Sequence, residues 1–365
     1  MLKTIRIVRL PIIESLTFCF IMLSCKSGDE KKNSLVLVWE QDKAVAVGFN
    51  KQLLSANDQP DIAKKLHVEI VGDSNQESIL GSIDLSGDSI FFRPYIPFTK
   101  GDSYRVKFNN VVIAIVRIPE PTGPAPEIVN IYPTNDTVPV NLLKLYIAFS
   151  IPMREGKWRD NIVLIKNGVD TVSDAFLDVD LELWNNEHTV LTIWFDPGRV
   201  KRGLQPNEKL GSPLHEKQKY ELLVLKNLED VDGRILRTGG SKRFFVNDRD
   251  SESPHVDDWL IRIPKSDTRT ALHFSFGESL DAMLLENSIS INYNEHGLAG
   301  VFEPINKERE LRFIPEASWQ VGEYEIIVDP ILEDLAGNNM TRLFDNPIDS
   351  SKKIKPSLRR KFTIK

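Results

Sequence analysis

Three cationic residues lie together in a stretch of the chain that has no counterpart elsewhere in the sequence. Arg199, Lys201 and Arg202 open the segment 198–219, which also contains several prolines and glycines. Guanidinium and ammonium groups bind carboxylates and acidic sugars through charge-assisted hydrogen bonds, and long loops on a rigid scaffold often carry binding sites. The segment is therefore a candidate ligand-binding loop. The alternative is a structural loop that caps its own domain or docks against a neighbouring one.

Acidic residues alternate shortly before this segment. Asp178, Asp180 and Glu182 are each separated by one residue, a spacing that places all three on one face of a β-strand. Carboxylate oxygens are ligands that calcium prefers, and two carboxylates at a suitable separation can also act as a glycosidase pair. The sequence therefore indicates a candidate calcium site here, with the solvated outer face of a strand as the alternative. Acids beside glycine turns, among them Asp334, are also calcium-capable or plain turn residues.

The chain lacks the residue patterns of common catalytic and nucleotide-binding sites. Its six histidines show no H-x-H, H-x-x-x-H or H-E-x-x-H spacing, so a helix-borne zinc site has no support. No G-x-S-x-G elbow and no glycine-rich phosphate loop occurs. The only two cysteines, Cys19 and Cys25, stand near the N-terminus. The sequence therefore predicts a protein that is not an enzyme, with no cofactor other than the candidate calcium ion.

Composition favours a globular protein that does not bind nucleic acid. Hydrophobic residues make up 41% of the chain and charged residues 27%, which is enough apolar material for buried cores. The 46 basic and 52 acidic residues give a formal net charge of -6. Such a chain offers no extended basic surface to neutralise phosphates. Nucleic acid is therefore not expected as a partner.

The N-terminus has the features of an export signal. Residues 1–10 carry three basic residues and no acid, and residues 11–24 are mostly apolar, the order found in secretory signal peptides. The apolar part ends in Met22-Leu23-Ser24-Cys25, which resembles the lipobox of bacterial lipoproteins. The resemblance implies removal of a signal peptide over 1–24, acylation of Cys25 and a membrane as partner through its acyl chains. Residues 25–34 are polar and predict a flexible tether.

The same resemblance implies a location in the cell envelope. Lys26 stands where the inner-membrane retention signal of lipoproteins has aspartate, so the outer membrane is expected. Asp29-Glu30 resembles the acidic surface-export signal of some bacterial lipoproteins. A solvated linker would also carry these acids, so the periplasmic and the surface-exposed side of the membrane both stay open.

Past residue 34, apolar and polar residues alternate in short runs. Clear examples are residues 104–108, 191–195 and 324–328. Alternation over such lengths is typical of β-strands with one buried face, and glycine and proline separate the runs. The sequence therefore predicts an all-β fold.

Three consecutive segments repeat the same ordered marks. Each has a strand that ends in Phe, a strand that ends in Phe-x-Pro, and a strand that opens with Tyr. The marks are Phe49, Phe92 and Tyr104 in the first segment, Phe149, Phe195 and Tyr220 in the second, and Phe276, Phe313 and Tyr324 in the third. Repetition at this scale indicates tandem domains. Strands of this length with turns between them are typical of antiparallel β-sandwiches.

Some of these marks resemble a family of bacterial Ig-like domains. The carrying residues are Pro133 to Pro139, Phe149 to Met153, and Glu333 to Asn338, with sequences PTNDTVP, FSIPM and EDLAGN. They are similar to the SbsA-like (Big_5-like) domains of surface-layer proteins and exported lipoproteins. The resemblance covers residues 126–247 and 254–345, and more faintly 35–118. It implies an Ig-like sandwich with a structural or binding role and no catalytic residues.

Domain boundaries follow from composition. A Pro-rich linker around 119–126 and a charged stretch at 247–254 separate the repeats. The predicted Ig-like domains are 35–118, which is diverged, 126–247, which contains the inserted loop 198–219, and 254–365. The expected function is that of a lipid-anchored, non-catalytic structural or binding module that contacts envelope proteins or glycans. The alternative is an envelope glycan-binding protein that uses tryptophans and the inserted loop.

Overall fold

The computed structural model of the chain consists mainly of β-strands. It describes residues 19–22, 35–40, 43–51, 62–72, 77–345 and 358–365. The strands of these residues lie in six sheets, whose facing sides enclose three hydrophobic cores. The predicted all-β fold of antiparallel Ig-like sandwiches is confirmed. The predicted lipidation site Cys25, the tether 25–34 and most of the predicted signal peptide 1–24 lie outside the described residues.

The first sandwich contains eight strands and one short helix. These are β1 (Cys19–Met22), β2 (Val36–Glu40), β3 (Lys43–Asn50), α1 (Ile62–Lys65), β4 (Leu66–Ile70), β5 (Gly81–Ser86), β6 (Ser89–Pro94), β7 (Ser103–Phe108) and β8 (Val111–Arg117). One sheet has the order β1-β2-β3-β6-β5 and the other the order β4-β7-β8. Strand β1 falls within the predicted signal peptide and pairs with β2, so signal cleavage would leave β2 at the edge of its sheet.

The second sandwich carries the inserted segment as two helices. Its elements are β9 (Ile128–Tyr132), β10 (Thr137–Pro139), β11 (Lys144–Phe149), α2 (Trp158–Asn161), β12 (Ile162–Lys166), β13 (Asp170–Thr171), β14 (Leu183–Trp184), β15 (Val190–Trp194), α3 (Pro197–Val200), α4 (Gln205–Leu210), β16 (Lys219–Val224) and β17 (Gly240–Asn247). The sheet orders are β14-β15-β11-β9 and β10-β17-β16-β12-β13. Strands β10 and β17 pair in parallel, whereas the other pairs of this sandwich are antiparallel.

The third sandwich begins with a 3-10 helix and ends at the C-terminal strand. Its elements are the 3-10 helix (Val256–Asp258), β18 (Leu260–Arg262), β19 (Leu272–Ser275), α5 (Ala282–Leu285), β20 (Ile289–Tyr293), β21 (His296–Gly297), β22 (Gly300–Ile305), β23 (Glu310–Pro315), β24 (Gly322–Val328) and β25 (Arg359–Ile364). The sheet orders are β18-β19-β23-β22 and β21-β20-β24-β25. Among the helices described here, none is long and apolar enough to cross a bilayer.

All three sandwiches share one strand order. Each sandwich has seven main strands when β1, β10, β13 and β21 are left out. Numbered along the chain, these seven strands are ordered 1-2-5-4 in one sheet and 3-6-7 in the other. This is the Greek-key arrangement of Ig-like domains. An additional strand extends the 3-6-7 sheet next to strand 3, β13 in the second sandwich and β21 in the third. In the second sandwich β10 also extends this sheet, next to strand 7. The sequence repeat is therefore a repeat of one topology.

The repeated tyrosine marks the same corner in each sandwich. The hydroxyl oxygen of Tyr104 accepts a hydrogen bond from the backbone N–H of Thr99 (2.9 Å). Tyr220 accepts one from His215 (3.1 Å), and Tyr324 accepts one from Gln320 (2.9 Å). A tyrosine at the start of the sixth strand that bonds a few residues upstream is a hallmark of Ig-like domains.

Alternating side chains build each core. In β7 and β23 every second residue is buried, as expected for strands with one face inside a sandwich. The buried members of the three cores include Val47, Phe92 and Val106, then Ile147, Phe195 and Leu222, then Phe274, Phe313 and Ile326. The Phe of each Phe-x-Pro mark is therefore a core residue.

The chain divides into two compact units. The first contains the described residues up to 124 together with 232–234, and the second contains 125–231 and the described residues from 235 onward. The second unit holds two sandwiches, and we call it the two-sandwich unit. Several charged side chains meet at the boundary between these two sandwiches.

Candidate functional site

The inserted segment folds as two helices joined by a short turn. Helix α3 begins after Asp196, whose carboxylate accepts a hydrogen bond from the backbone N–H of Gly198 (2.8 Å), and Pro197 occupies its first turn. This combination favours helix initiation. Helix α4 ends at Gly211, which has a φ of +73° and closes the helix as glycine commonly does. The predicted loop is therefore ordered by its own turn residues.

The Arg199 side chain points at backbone carbonyls. Its side chain is buried, with 8% of the residue exposed, and its guanidinium donates to three backbone carbonyls. The acceptors are Gly211 (3.0 Å), Leu210 (3.4 Å) and Asp174 (2.5 Å). The Arg199 guanidinium is therefore bound by carbonyls of its own loop and of the preceding turn at Asp174, and its part in a ligand-binding loop stays a prediction.

Lys201 and Arg202 contact the third sandwich. The ammonium of Lys201 lies 5.8 Å from the centre of the Phe344 ring, and Arg202 Nε lies 3.3 Å from Asp345 Oδ2. The same carboxylate accepts a hydrogen bond from Arg249 (2.6 Å). These contacts are the ones expected if the segment 198–219 is a structural loop that docks against a neighbouring domain, the alternative interpretation of this segment.

Removing the Arg199 guanidinium tests this structural role. We expect Arg199→Met to lower the free energy of unfolding of the two-sandwich unit by about 2 kcal/mol, because three carbonyls lose a charged donor. Chemical denaturation measures the effect. Arg243→Met is the matched control, since Arg243 is 81% exposed and pairs with Glu221. Equal stability of the two variants would contradict a structural role for Arg199.

The structure does not bring the predicted calcium ligands together. The expected strand through Asp178, Asp180 and Glu182 is absent, since β14 begins only at Leu183. Asp178 pairs with Arg159 at the surface. Glu182 accepts hydrogen bonds from the backbone N–H of Gly156 (2.7 Å) and the indole of Trp184. Within the described part of the chain, the group of acids close enough to share an ion lies elsewhere.

A buried ionic cluster joins the second and third sandwiches. Lys144, at the start of β11, donates to Asp281 Oδ2 at 3.0 Å and also pairs with Glu333. The hydroxyl of Tyr146 donates to the same Asp281 oxygen at 2.6 Å. Asp281 is 3% exposed, and its other oxygen caps helix α5 by accepting from Met283 N–H. Four side chains from two sandwiches thus share one hydrogen-bonded network, which we call the joint cluster.

Electrostatics in the joint cluster reflect two carboxylates facing one ammonium. Burial opposes the charged form of Lys144, but Asp281 and Glu333 outweigh it and raise the Lys144 pKa above its ordinary value. Burial raises the pKa of Glu333, against the opposing effect of Lys144. Burial and the charge of Asp281 raise the pKa of Tyr146, so its hydroxyl remains a donor. The ammonium of Lys144 is therefore essential to the charge balance of the cluster.

A second group of polar contacts runs beside the joint cluster. Thr134 donates to the buried carboxylate of Glu308 through its hydroxyl (2.7 Å) and its backbone N–H (3.0 Å). Asn135 donates to Ser279 at 3.0 Å. Burial raises the pKa of Glu308 although the Thr134 bonds lower it. The residues before β10 therefore hold the third sandwich by side-chain and backbone donors together.

Apolar packing completes the boundary. The backbone N–H of Leu143 donates to the Leu335 carbonyl at 3.0 Å, and Leu143 is 1% exposed. Leu335 and Phe344 of the third sandwich pack against the core of the second. Gly337 approaches so closely that an added Cβ would lie 2.5 Å from the Leu143 side chain. The two sandwiches of this unit are therefore in direct core-to-core contact.

Gly337 offers a direct test of that packing. Its φ is +78°, so Gly337→Ala adds left-handed backbone strain of about 1–2 kcal/mol, together with a clash against Leu143. We expect a lower melting temperature in a thermal scan. Gly277→Ala is the control, because Gly277 also has a positive φ but open space around the added Cβ. A Gly337 variant no less stable than the control would contradict tight packing at this position.

Three carboxylates converge near the same boundary. Oxygens of Asp250, Glu278 and Asp334 all lie within 4.8 Å of one another. Burial, followed by the neighbouring acids, raises the pKa of Glu278 to about 7 and that of Asp334 to about 8. Burial also raises the pKa of Asp250. Such a group lowers its mutual repulsion by taking up protons or a hard cation.

Sequence reasoning identified only one member of this group. Asp334 stands before a glycine turn, and its carboxylate accepts hydrogen bonds from the N–H groups of Ala336 (2.7 Å) and Asn338 (3.0 Å), as a turn residue does. Asp250 lies in the charged stretch that separates the repeats, where the sequence predicts only a boundary between domains. No local signal in the sequence places Glu278 beside them.

The tryptophans offer no exposed platform. All six are buried or half-buried, and Trp259 and Trp319 are among the largest fully buried side chains. Trp194 has the Lys144 ammonium 5.2 Å from its ring centre, and Trp184 stacks on His188. The tryptophans thus occupy cores and the boundary between sandwiches, as aromatic side chains of sandwich strands usually do.

Comparisons with known proteins give only distant structural likenesses. No protein-family model matches the chain, and no curated protein matches its sequence. Among solved structures, α2-macroglobulin from Escherichia coli is 10% identical with a TM-score of 0.23, covering 67% of this chain and 72% of that one. The S-layer protein SbsC is 10% identical with a TM-score of 0.24, covering 56% of this chain and 24% of that one. The FN1–FN3 domains of chicken CNTN1 are 10% identical with a TM-score of 0.20, covering 94% and 97%. The fold therefore rests on the strand order described above.

Proposed function

We propose that this chain is a lipid-anchored, non-catalytic Ig-like module of the bacterial cell envelope, held in the outer membrane by an acylated Cys25. The lipobox-like end of the signal segment and the polar tether after it support the anchor. Its three sandwiches, related by the marks that resemble SbsA-like domains, support a structural or binding role. The mechanism is one of spacing and contact with other envelope proteins.

The observation that carries this proposal is the boundary inside the two-sandwich unit. Its ionic, polar and apolar contacts come from strand β11, from the residue that caps helix α5 and from the connecting segments around residues 134–135, 308 and 333–345. The inserted loop adds contacts of Lys201 and Arg202 to the third sandwich. A chain built in this way is suited to keep a fixed geometry between two domains. The burial of the tryptophans does not favour the glycan-binding alternative, which needs exposed rings.

Fractionation of the native host tests the anchor. The wild-type protein is expected in the outer-membrane fraction with acyl chains on its N-terminal residue, detected by mass spectrometry. Cys25→Ala is expected to release the protein from that fraction. Retention of Cys25→Ala in the membrane would contradict the lipid anchor. Protease treatment of intact cells then decides between the surface side, where the protein is lost, and the periplasmic side, where it is protected until lysis.

Hydrogen exchange tests the fixed geometry. If the two sandwiches form one cooperative structure, the amides of β11 and β16 lose protection at the same denaturant concentration as those of β19 and β24. Exchange read by mass spectrometry on the full chain resolves these strands. Loss of protection in one sandwich well before the other would contradict a rigid two-sandwich unit.

A further inference from the structure

The point at which the tether enters defines one end of the first sandwich. Val36, the first residue of β2, lies opposite Gly48 near the end of β3. The last residue of β3, Asn50, pairs with Ser89 at the start of β6. The tether therefore enters at the end that also carries the β5–β6 turn, and we call it the anchor end.

The β7–β8 hairpin tip lies at the same end. Strand β6 finishes at the opposite end, where Phe98 pairs with Ala44 at the start of β3. Strand β7 begins there and runs back toward the anchor end. Its tip is Asn109-Asn110, and both residues have positive φ angles, as the two central residues of a type I′ turn require.

The anchor end combines exposed apolar side chains with positive charge. Directly after the tip, Val111 is 64% exposed and Val112 is 46% exposed. The Lys51 ammonium donates to the Gly87 carbonyl at 2.7 Å. Asp88 is exposed at the neighbouring tip. Apolar side chains beside a basic side chain are a combination found on surfaces that contact anionic membranes.

The tether limits how far this end can be from the bilayer. Nine residues separate Cys25 from residue 35, and the ten residue steps between the two span at most about 36 Å when fully extended. Tethering at such a distance gives a high effective concentration of the anchor end at the membrane surface. A contact too weak to bind a free protein is then sufficient to hold this one.

We propose that the anchor end of the first sandwich docks on the membrane surface, with Val111 and Val112 in the headgroup region and Lys51 facing anionic phospholipid. The inference rests on the proposed lipid anchor and adds an orientation to it. Docking of this kind would align the first sandwich with the bilayer normal instead of leaving it free to turn about the tether.

Site-directed fluorescence on vesicles tests the docking. Because the body of the chain has no cysteine after Cys25, the lipid-modified full-length protein accepts a single new thiol. One sample carries an environment-sensitive dye at Val111→Cys, and the control carries it at Ile96→Cys, an 82% exposed position at the opposite end. Both are reconstituted into vesicles of phosphatidylcholine with phosphatidylglycerol, with and without nitroxide-labelled lipid.

For the dye at position 111, we expect the emission maximum to shift to shorter wavelength and the emission to be quenched by nitroxide-labelled lipid. For the dye at position 96, we expect neither change. Adding Val112→Asp and Lys51→Glu is expected to remove the response at position 111. Identical behaviour of the two dyes on protein that floats with the vesicles would overturn the docking and leave the anchor intact. Protein that does not float and carries no acyl chains would overturn the anchor itself.

Discussion

Lys144→Ala is expected to lower the free energy of unfolding of the two-sandwich unit by about 3–5 kcal/mol. The reason is the charge balance of the joint cluster. Lys144 is the cation that faces both Asp281 and Glu333, and their side chains are only 4% and 16% exposed. Without the ammonium, two carboxylates remain close together away from water. The cost of an uncompensated buried charge exceeds the net value of the ion pair that was lost.

Urea denaturation of the full chain measures this effect, with the tryptophans of the two sandwiches as probes. Lys361→Ala is the matched control, because Lys361 is 67% exposed and pairs with Glu323 at 3.6 Å, an arrangement worth less than about 1 kcal/mol. Adding Glu333→Gln to Lys144→Ala is expected to recover part of the loss, since it removes one of the two charges. A Lys144 variant as stable as the control would show that the cluster does not hold the sandwiches together.

The stability of the two-sandwich unit is expected to fall by several kcal/mol, at most about 7 kcal/mol, from about pH 5 to about pH 9 through the converging carboxylates. Glu278 and Asp334 have folded-state pKa values of about 7 and about 8, above those of the unfolded chain. Between these limits the folded state binds more protons than the unfolded state, so stability decreases as pH rises. The contribution is fully present below the unfolded pKa values and is lost through the folded ones.

The variant Glu278→Gln isolates this effect from other titrations. It removes one of the converging charges, and we expect it to raise stability by about 1–3 kcal/mol at about pH 9 while changing little at about pH 5. Glu316→Gln, at an exposed position, serves as the control. Denaturation curves at several pH values give the comparison. A Glu278 variant whose stability follows the wild type across the range would contradict the raised pKa and the charge convergence behind it.

The sequence was most informative where structure is set locally. Alternation and turn residues predicted the strands that carry Phe195 and Tyr220, and both residues are buried at the expected places. The ordered repeat of such marks was sufficient to predict three related sandwiches. The strand predicted through Asp178 and Glu182 was wrong. Alternating charges are typical of a strand, but here Asp178 forms an ion pair with Arg159 and Glu182 accepts a hydrogen bond from a backbone N–H group.

The contacts that join the sandwiches could not be predicted in the same way. Lys144 stands in an ordinary strand pattern, and its partner Asp281 is 137 residues away, so only the folded arrangement brings them together. Arg199 illustrates the opposite difficulty. Its residue type suggested a ligand, but the carbonyls that it binds belong to the backbone, whose direction the sequence does not specify.

The parallel pairing of β10 with β17 has a mechanical consequence. Thr137 lies opposite Phe245, and Val138 lies opposite Val246, so strands near the beginning and the end of the second sandwich run side by side. Tension applied along the chain pulls these two strands past each other, and their hydrogen bonds carry the load together instead of opening one after another. The second sandwich is therefore built to resist stretching along the chain.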